Sequence, residues 1–256
     1  MKNLALQLVD YLQGSFSLVF VLISLIIGLT ILSKYSKYKS RLYILVGISW
    51  IGVANPWFPD SISFIMYLIF QEFLPREWYF IIGNCFIPIA LLSWLTAFTD
   101  MISKKKQKLV ITLTIILSIA FEVMFFYLFF TDINAIGVIN SSRPFTVNFG
   151  DFILIYLVIV IFVMFVTGIV FSQKSVKSED KEVRVKGKLL RAAFITFTIA
   201  AVFDSLLGTI FEDPTDPLLA IMVVIVRVLL IISAIEFYGS FYCQDGCIQF
   251  LLGKNK

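Results

Sequence analysis

The apolar residues of this chain lie in long continuous blocks that are separated by short polar loops. Seven blocks have about the 20 residues that a helix needs to cross a bilayer. They span residues 15–33, 42–58, 79–98, 109–130, 152–171, 189–211 and 217–238. The pattern predicts an all-α fold: a polytopic membrane protein whose residues 1–256 form a single seven-transmembrane-helix bundle. The first block is too long for a signal-peptide core and is expected to be retained.

Two places depart from this simple plan. Residues 61–70 are apolar, but about ten residues make a helix of roughly 15 Å, which is too short to cross. They are therefore expected to form an interfacial or re-entrant helix, or a helical extension of the third block. Pro88 lies near the middle of the third block and predicts a kink there.

The basic residues predict how the bundle is oriented. Of the 21 Lys and Arg residues, 17 lie in the loops 34–41, 104–108 and 174–191 and in the tail after residue 238. The other four are Lys2, Arg76, Arg143 and Arg227. Because basic loops mark the cytoplasmic side, the N-terminus is predicted outside and the C-terminus inside a cell membrane.

Composition excludes several classes of function. The chain is 59% hydrophobic and has no histidine, so haem ligation by His, His-ligated zinc and His-based hydrolase triads are excluded. No nucleophile–base pair or metal cluster is visible, so an enzyme is not expected and no cofactor is predicted. No nucleic acid is expected as a partner, because the basic residues share no soluble face.

Retinal is excluded as a ligand on separate grounds. All the lysines lie in loops or termini, and the seventh block offers Arg227 where a Schiff base would need a lysine.

Four polar residues inside the blocks are candidate ligand- or proton-binding residues: Asn84, Glu122, Asp204 and Arg227. A rise of 1.5 Å per residue places the last three within roughly 6 Å of one level, with Asn84 slightly further out. Asp204 is expected to pair with Arg227, which leaves Glu122 as a surplus carboxyl that is expected to be protonated. The same cluster is compatible with a structural clamp, a small-ligand site, or an ion or proton path.

Several segments resemble a group of uncharacterised archaeal seven-helix membrane proteins, which are similar in plan to the sensor modules of bacterial signalling proteins. They are residues 98–100, 104–108, 179–190, 203–204 and 227–238. The resemblance implies a sensor, but no kinase or cyclase domain follows the last predicted helix. Any output would therefore need a separate partner.

Three functions are consistent with these observations. The first is a receptor-like or sensory protein, with loop 131–151 and residues 61–70 covering the site. Its basic loop 172–191 would bind a cytoplasmic protein or anionic lipid headgroups. The second is a transporter or proton-coupled carrier that uses Glu122 as its switching carboxyl. The third is a membrane scaffold or assembly protein without a ligand.

Overall fold

The computed structural model describes residues 6–211 and 216–242, so most of the connection between the sixth and seventh predicted blocks and the two lysines of the tail, Lys254 and Lys256, lie outside the described residues. The fold is a helical bundle with one small hairpin. The helices are α1 (Leu8–Tyr38), α2 (Arg41–Val53), α3 (Phe58–Phe70), α4 (Arg76–Asn84), α5 (Ile87–Ile102), α6 (Gln107–Thr131), α7 (Asp151–Val176), α8 (Lys181–Ile210) and α9 (Pro217–Tyr242). Short 3₁₀ helices cover Asn55–Trp57, Lys104–Lys106 and Ile133–Ala135.

Seven helical segments within the described residues are long and apolar enough to cross a membrane, which confirms the predicted seven-helix plan at this level. The segments are Leu8–Tyr38, Arg41–Phe70, Arg76–Ile102, Lys104–Thr131, Asp151–Val176, Lys181–Gly208 and Pro217–Phe241.

The second segment is longer than the sequence predicted. Helix α2, the 3₁₀ turn Asn55–Trp57 and α3 follow one another as a single 30-residue segment. The prolines at 56 and 59 occupy first-turn positions of the 3₁₀ turn and of α3, where a missing backbone N–H leaves no hydrogen bond unmade. The second segment therefore continues past the predicted end at residue 58, and residues 61–70 belong to α3 rather than to a helical extension of the third block. Asp60 consequently lies inside a helical segment.

The third segment is interrupted between α4 and α5, just before Pro88, where the sequence predicted a kink. This break lies against the break in the second segment. The Asn55 side-chain amide donates to the backbone carbonyl of Ile82 at 2.5 Å. A Cβ on Gly52 would come within 2.5 Å of the Ala90 Cβ, so only glycine allows α2 and α5 to pack this closely. A side chain at the break in the second segment thus satisfies a backbone carbonyl near the end of α4.

A β-hairpin closes one end of the bundle. Strands β1 (Gly137–Ile139) and β2 (Val147–Phe149) pair antiparallel. Asn140 Oδ1 accepts the Ser142 backbone N–H inside the connecting turn. The hairpin lies on α8, where a Cβ added to Gly208 would approach Asn148 Oδ1 to 2.6 Å. We call this side the hairpin end; it also contains the start of α1 and residues 71–75.

Candidate ligand site within the bundle

Three charged side chains from three helices meet inside the bundle. Arg227 of α9 is only 2% exposed. Its Nη1 donates to Asp204 Oδ2 of α8 at 2.9 Å, and its Nη2 donates to Asp60 Oδ2 of α3 at 3.4 Å. We call Asp60, Asp204 and Arg227 the central triad. One guanidinium therefore joins two helices that are far apart in sequence.

Neutral donors fix both carboxylates of the triad. The Tyr79 hydroxyl donates to Asp60 Oδ1, and the Ser17 hydroxyl lies 3.5 Å from Asp60 Oδ2. The indole N–H of Trp57 donates to Asp204 Oδ2 at 2.8 Å. Hydrogen bonds of this kind stabilise a buried carboxylate in its charged form. These neutral donors come from α1, the 3₁₀ turn and α4, so together with α3, α8 and α9 five of the seven long segments contribute side chains to the triad network.

The two carboxylates of the triad differ in whether both of their oxygens accept hydrogen bonds. Both oxygens of Asp60 accept hydrogen bonds, and its side chain is 5% exposed. Asp204 is 18% exposed, and its Oδ1 accepts no hydrogen bond from the residues the structure describes. Asp204 Oδ1 is thus an available acceptor, whereas both oxygens of Asp60 are already engaged.

A second ion pair fastens the hairpin to the bundle. Arg143 Nε lies 3.6 Å from Asp10 Oδ1 of α1, and Arg143 Nη2 donates to Gln13 Oε1 at 2.9 Å. Gln13 in turn donates to the Phe145 carbonyl at 2.7 Å. We call Asp10, Gln13 and Arg143 the latch. Burial lowers the pKa of the Arg143 guanidinium, and the charge of Asp10 opposes that shift. The nearby carboxylate of Asp10 thus favours the charged form of this buried arginine.

A cavity of about 120 Å³ lies between the hairpin and the triad. One buried water needs roughly 10–15 Å³ on this measure, so the space holds several waters or a small organic molecule. Its charged wall consists of Asp60, Asp204, Arg143 and Arg227. Its apolar wall includes Val53, Trp57, Ile87, Phe145, Phe149, Leu157, Val160, Ile161, Met164, Phe197, Ala201, Leu207, Leu219 and Val223.

The structure brings together two of the four residues predicted from sequence, Asp204 and Arg227, and these two pair as predicted. Asn84 is buried at the end of α4, but its side-chain amide donates to the Phe80 carbonyl of its own helix at 2.9 Å. It does not line the cavity. Its polar group is therefore used within α4 rather than in the site.

Glu122 lies away from the triad. It is half-buried on α6, and the ionisable groups that its charge reaches are the Cys85 thiol and the Tyr156 hydroxyl. In the apolar stretch of this segment only 22% of the residues are buried, compared with 61% in the segment Arg76–Ile102. Helix α6 therefore lies at the periphery of the bundle. The sequence placed these residues at similar depths along their helices, but depth does not give the direction in which a side chain points.

Sequence reasoning missed Asp60, Tyr79 and the latch. Asp60 lies just after residue 58, where the second block was predicted to end, so it was not among the candidate residues. The signal was present: joining 42–58 with 61–70 gives one apolar run with a carboxyl inside it. Arg143 had no comparable signal, because it lies in a polar loop whose course over the bundle only the structure shows.

A scan against protein-family models, a search of curated proteins and a search of solved structures each found no match. The resemblance to archaeal seven-helix proteins therefore stays a prediction.

Proposed function

We propose that this protein is a multi-pass membrane protein of the receptor-like or sensory class, which binds a small ligand in the cavity beneath the hairpin. In this proposal the hairpin end faces outward and the basic loops face the cytoplasm. The seven apolar segments and the distribution of Lys and Arg support this orientation.

The observation that carries the proposal is the composition of the cavity wall. One part of the wall consists of aliphatic and aromatic side chains, and the other part contains the charged groups of Asp204 and Arg227. Ligand sites in proteins typically combine a mostly apolar pocket with a few convergent polar groups. A structural clamp would need the ion pair, but it would not need about 120 Å³ of open space beside it.

The latch gives the site a cover. Arg143 is 3% exposed and both it and Gln13 line the cavity, so the hairpin forms one wall of the site. A ligand that fills the cavity would therefore contact the hairpin and affect its position. At the other end, the basic segment 172–191 around the α7–α8 connection is the proposed contact for a cytoplasmic protein or anionic lipids.

The proposal is tested by measuring thermal unfolding of the detergent-purified protein against a library of small molecules. A ligand that binds only the folded state raises the unfolding midpoint in proportion to its occupancy. Ala201→Leu fills the cavity and is expected to abolish the shift. Ala120→Leu adds the same atoms on an exposed face of α6 and is expected to preserve it. A shift of full size in Ala201→Leu would place the ligand elsewhere.

A second candidate, a proton-coupled carrier, is favoured by one observation: the triad has two carboxyls for one guanidinium. The switching carboxyl would then be Asp60 or Asp204 rather than Glu122. Proton flux in liposomes that is lost in Asp204→Asn and retained in Glu122→Gln would support a carrier over a receptor.

A further inference from the structure

The charged groups around the cavity do not balance. In the described part of the chain, the latch pairs Asp10 with Arg143 one to one, while the central triad sets Asp60 and Asp204 against Arg227 alone. With all five groups ionised, one negative charge is left without a counter-charge. A buried charge of this kind is costly unless a proton or another cation neutralises it.

The excess charge has a defined location. Asp60 is surrounded by donors from Tyr79, Ser17 and Arg227. Asp204 receives its two hydrogen bonds on Oδ2, so its Oδ1 has no donor among the described residues. Because Asp204 lines the cavity and is the more exposed carboxylate, a cation entering the cavity would meet this oxygen.

The surrounding wall also suits an organic cation. Five aromatic side chains line the same space: Trp57, Tyr79, Phe145, Phe149 and Phe197. Aromatic faces attract ammonium groups, and the attraction is strongest where water is excluded. The aliphatic side chains of α7 and α9 complete a surface that accepts an apolar body. A small hydrated metal ion would gain nothing from this apolar wall.

We propose that the ligand of this cavity is a monovalent organic cation, a primary ammonium group on a small apolar body, with the ammonium bound at Asp204 Oδ1. This assignment rests on the proposed function, namely that the cavity binds a ligand at all. It adds the sign of the ligand's charge and the atom that recognises it.

Three probes with one carbon skeleton test the assignment: n-butylammonium, 1-butanol and butyrate. Each is titrated into the detergent-purified protein while the thermal unfolding midpoint is recorded. We expect a saturable rise with n-butylammonium that exceeds the effect of the other two at equal concentration. Asp204→Asn is expected to weaken that binding at least tenfold, while Asp204→Glu, which keeps the charge, and Glu122→Gln, which lies outside the cavity, keep most of it.

The outcomes separate this inference from the proposed function. A saturable shift with butyrate that is lost in Ala201→Leu would retain the cavity as a ligand site but overturn the cation. It would point instead to the Nε groups of Arg227 and Arg143, which have no hydrogen-bond acceptor among the described residues. No saturable shift with n-butylammonium would also overturn the cation. Only the absence of any cavity-dependent shift across the whole library would overturn the proposed function as well.

Discussion

The latch and the central triad are built from the same residue types, but they differ in how their charges are matched. In the latch, Arg143 faces one carboxylate, Asp10, and donates one hydrogen bond to the side-chain oxygen of Gln13. In the triad, Arg227 is shared by Asp60 and Asp204. Both arginines are nearly fully buried, at 3% and 2% exposure.

This difference suggests different roles. A one-to-one pair carries no net charge and loses both partners' compensation when it is broken, so the latch is suited to holding two parts of the chain together. Two carboxylates that share one guanidinium keep an unmatched negative charge. The charge state of the triad therefore depends on which protons or ligands enter the site. The latch is thus interpreted as a mechanical contact and the triad as the chemically responsive one.

Of the three substitutions considered, removing Arg227 should lower the free energy of unfolding most. Arg227→Leu leaves two carboxylates buried without a cation, and we expect a loss of about 3–5 kcal/mol in the free energy of unfolding. Chemical unfolding of the purified variant measures this loss. Adding Asp60→Asn and Asp204→Asn to the same chain should recover a large part of it. A stable single variant would show that the carboxylates are already neutral.

Removing Arg143 should have a smaller and more local effect. Arg143→Leu leaves Asp10 buried without a counter-charge and removes one hydrogen bond to Gln13. We expect about 1–3 kcal/mol of local destabilisation. Limited proteolysis should then cut within the hairpin several-fold faster than in the original protein. Because the pair is balanced, adding Asp10→Asn should restore much of the resistance. Unchanged cleavage would mean that the strand and turn contacts hold the hairpin without the latch.

Glu122 should have the smallest effect. It is half-buried on a peripheral helix and belongs to neither group, so Glu122→Gln should change the free energy of unfolding by less than about 1 kcal/mol. Thermal unfolding profiles of the two proteins from pH 4 to 9 provide the measurement. A pH transition that disappears in the variant would show that Glu122 titrates in this range, so the central triad would not be the chemically responsive group of the molecule.

The sequence predicted the parts of the fold that depend on runs of apolar residues. It gave the number of long helices, the Asp204–Arg227 pair and the interruption before Pro88, because each follows from composition along one or two helices. It could not place Glu122, because the rotation of α6 depends on packing between helices. It also assigned Asp60 to a helix end, since two nearby prolines resemble a terminus when no neighbouring chain is known.

The adjacent breaks in the second and third segments have a mechanical consequence. Helices α3 and α4 pack together beyond those breaks and are joined by residues 71–75. Since Asn55 and Ile82 hold the two breaks side by side, they define a single pivot for this helical pair. Tilting about that pivot would carry Asp60 and Tyr79 away from Arg227 while Asp204 stayed beside it. The geometry of the central triad is thus linked to how α3 and α4 pack on the rest of the bundle.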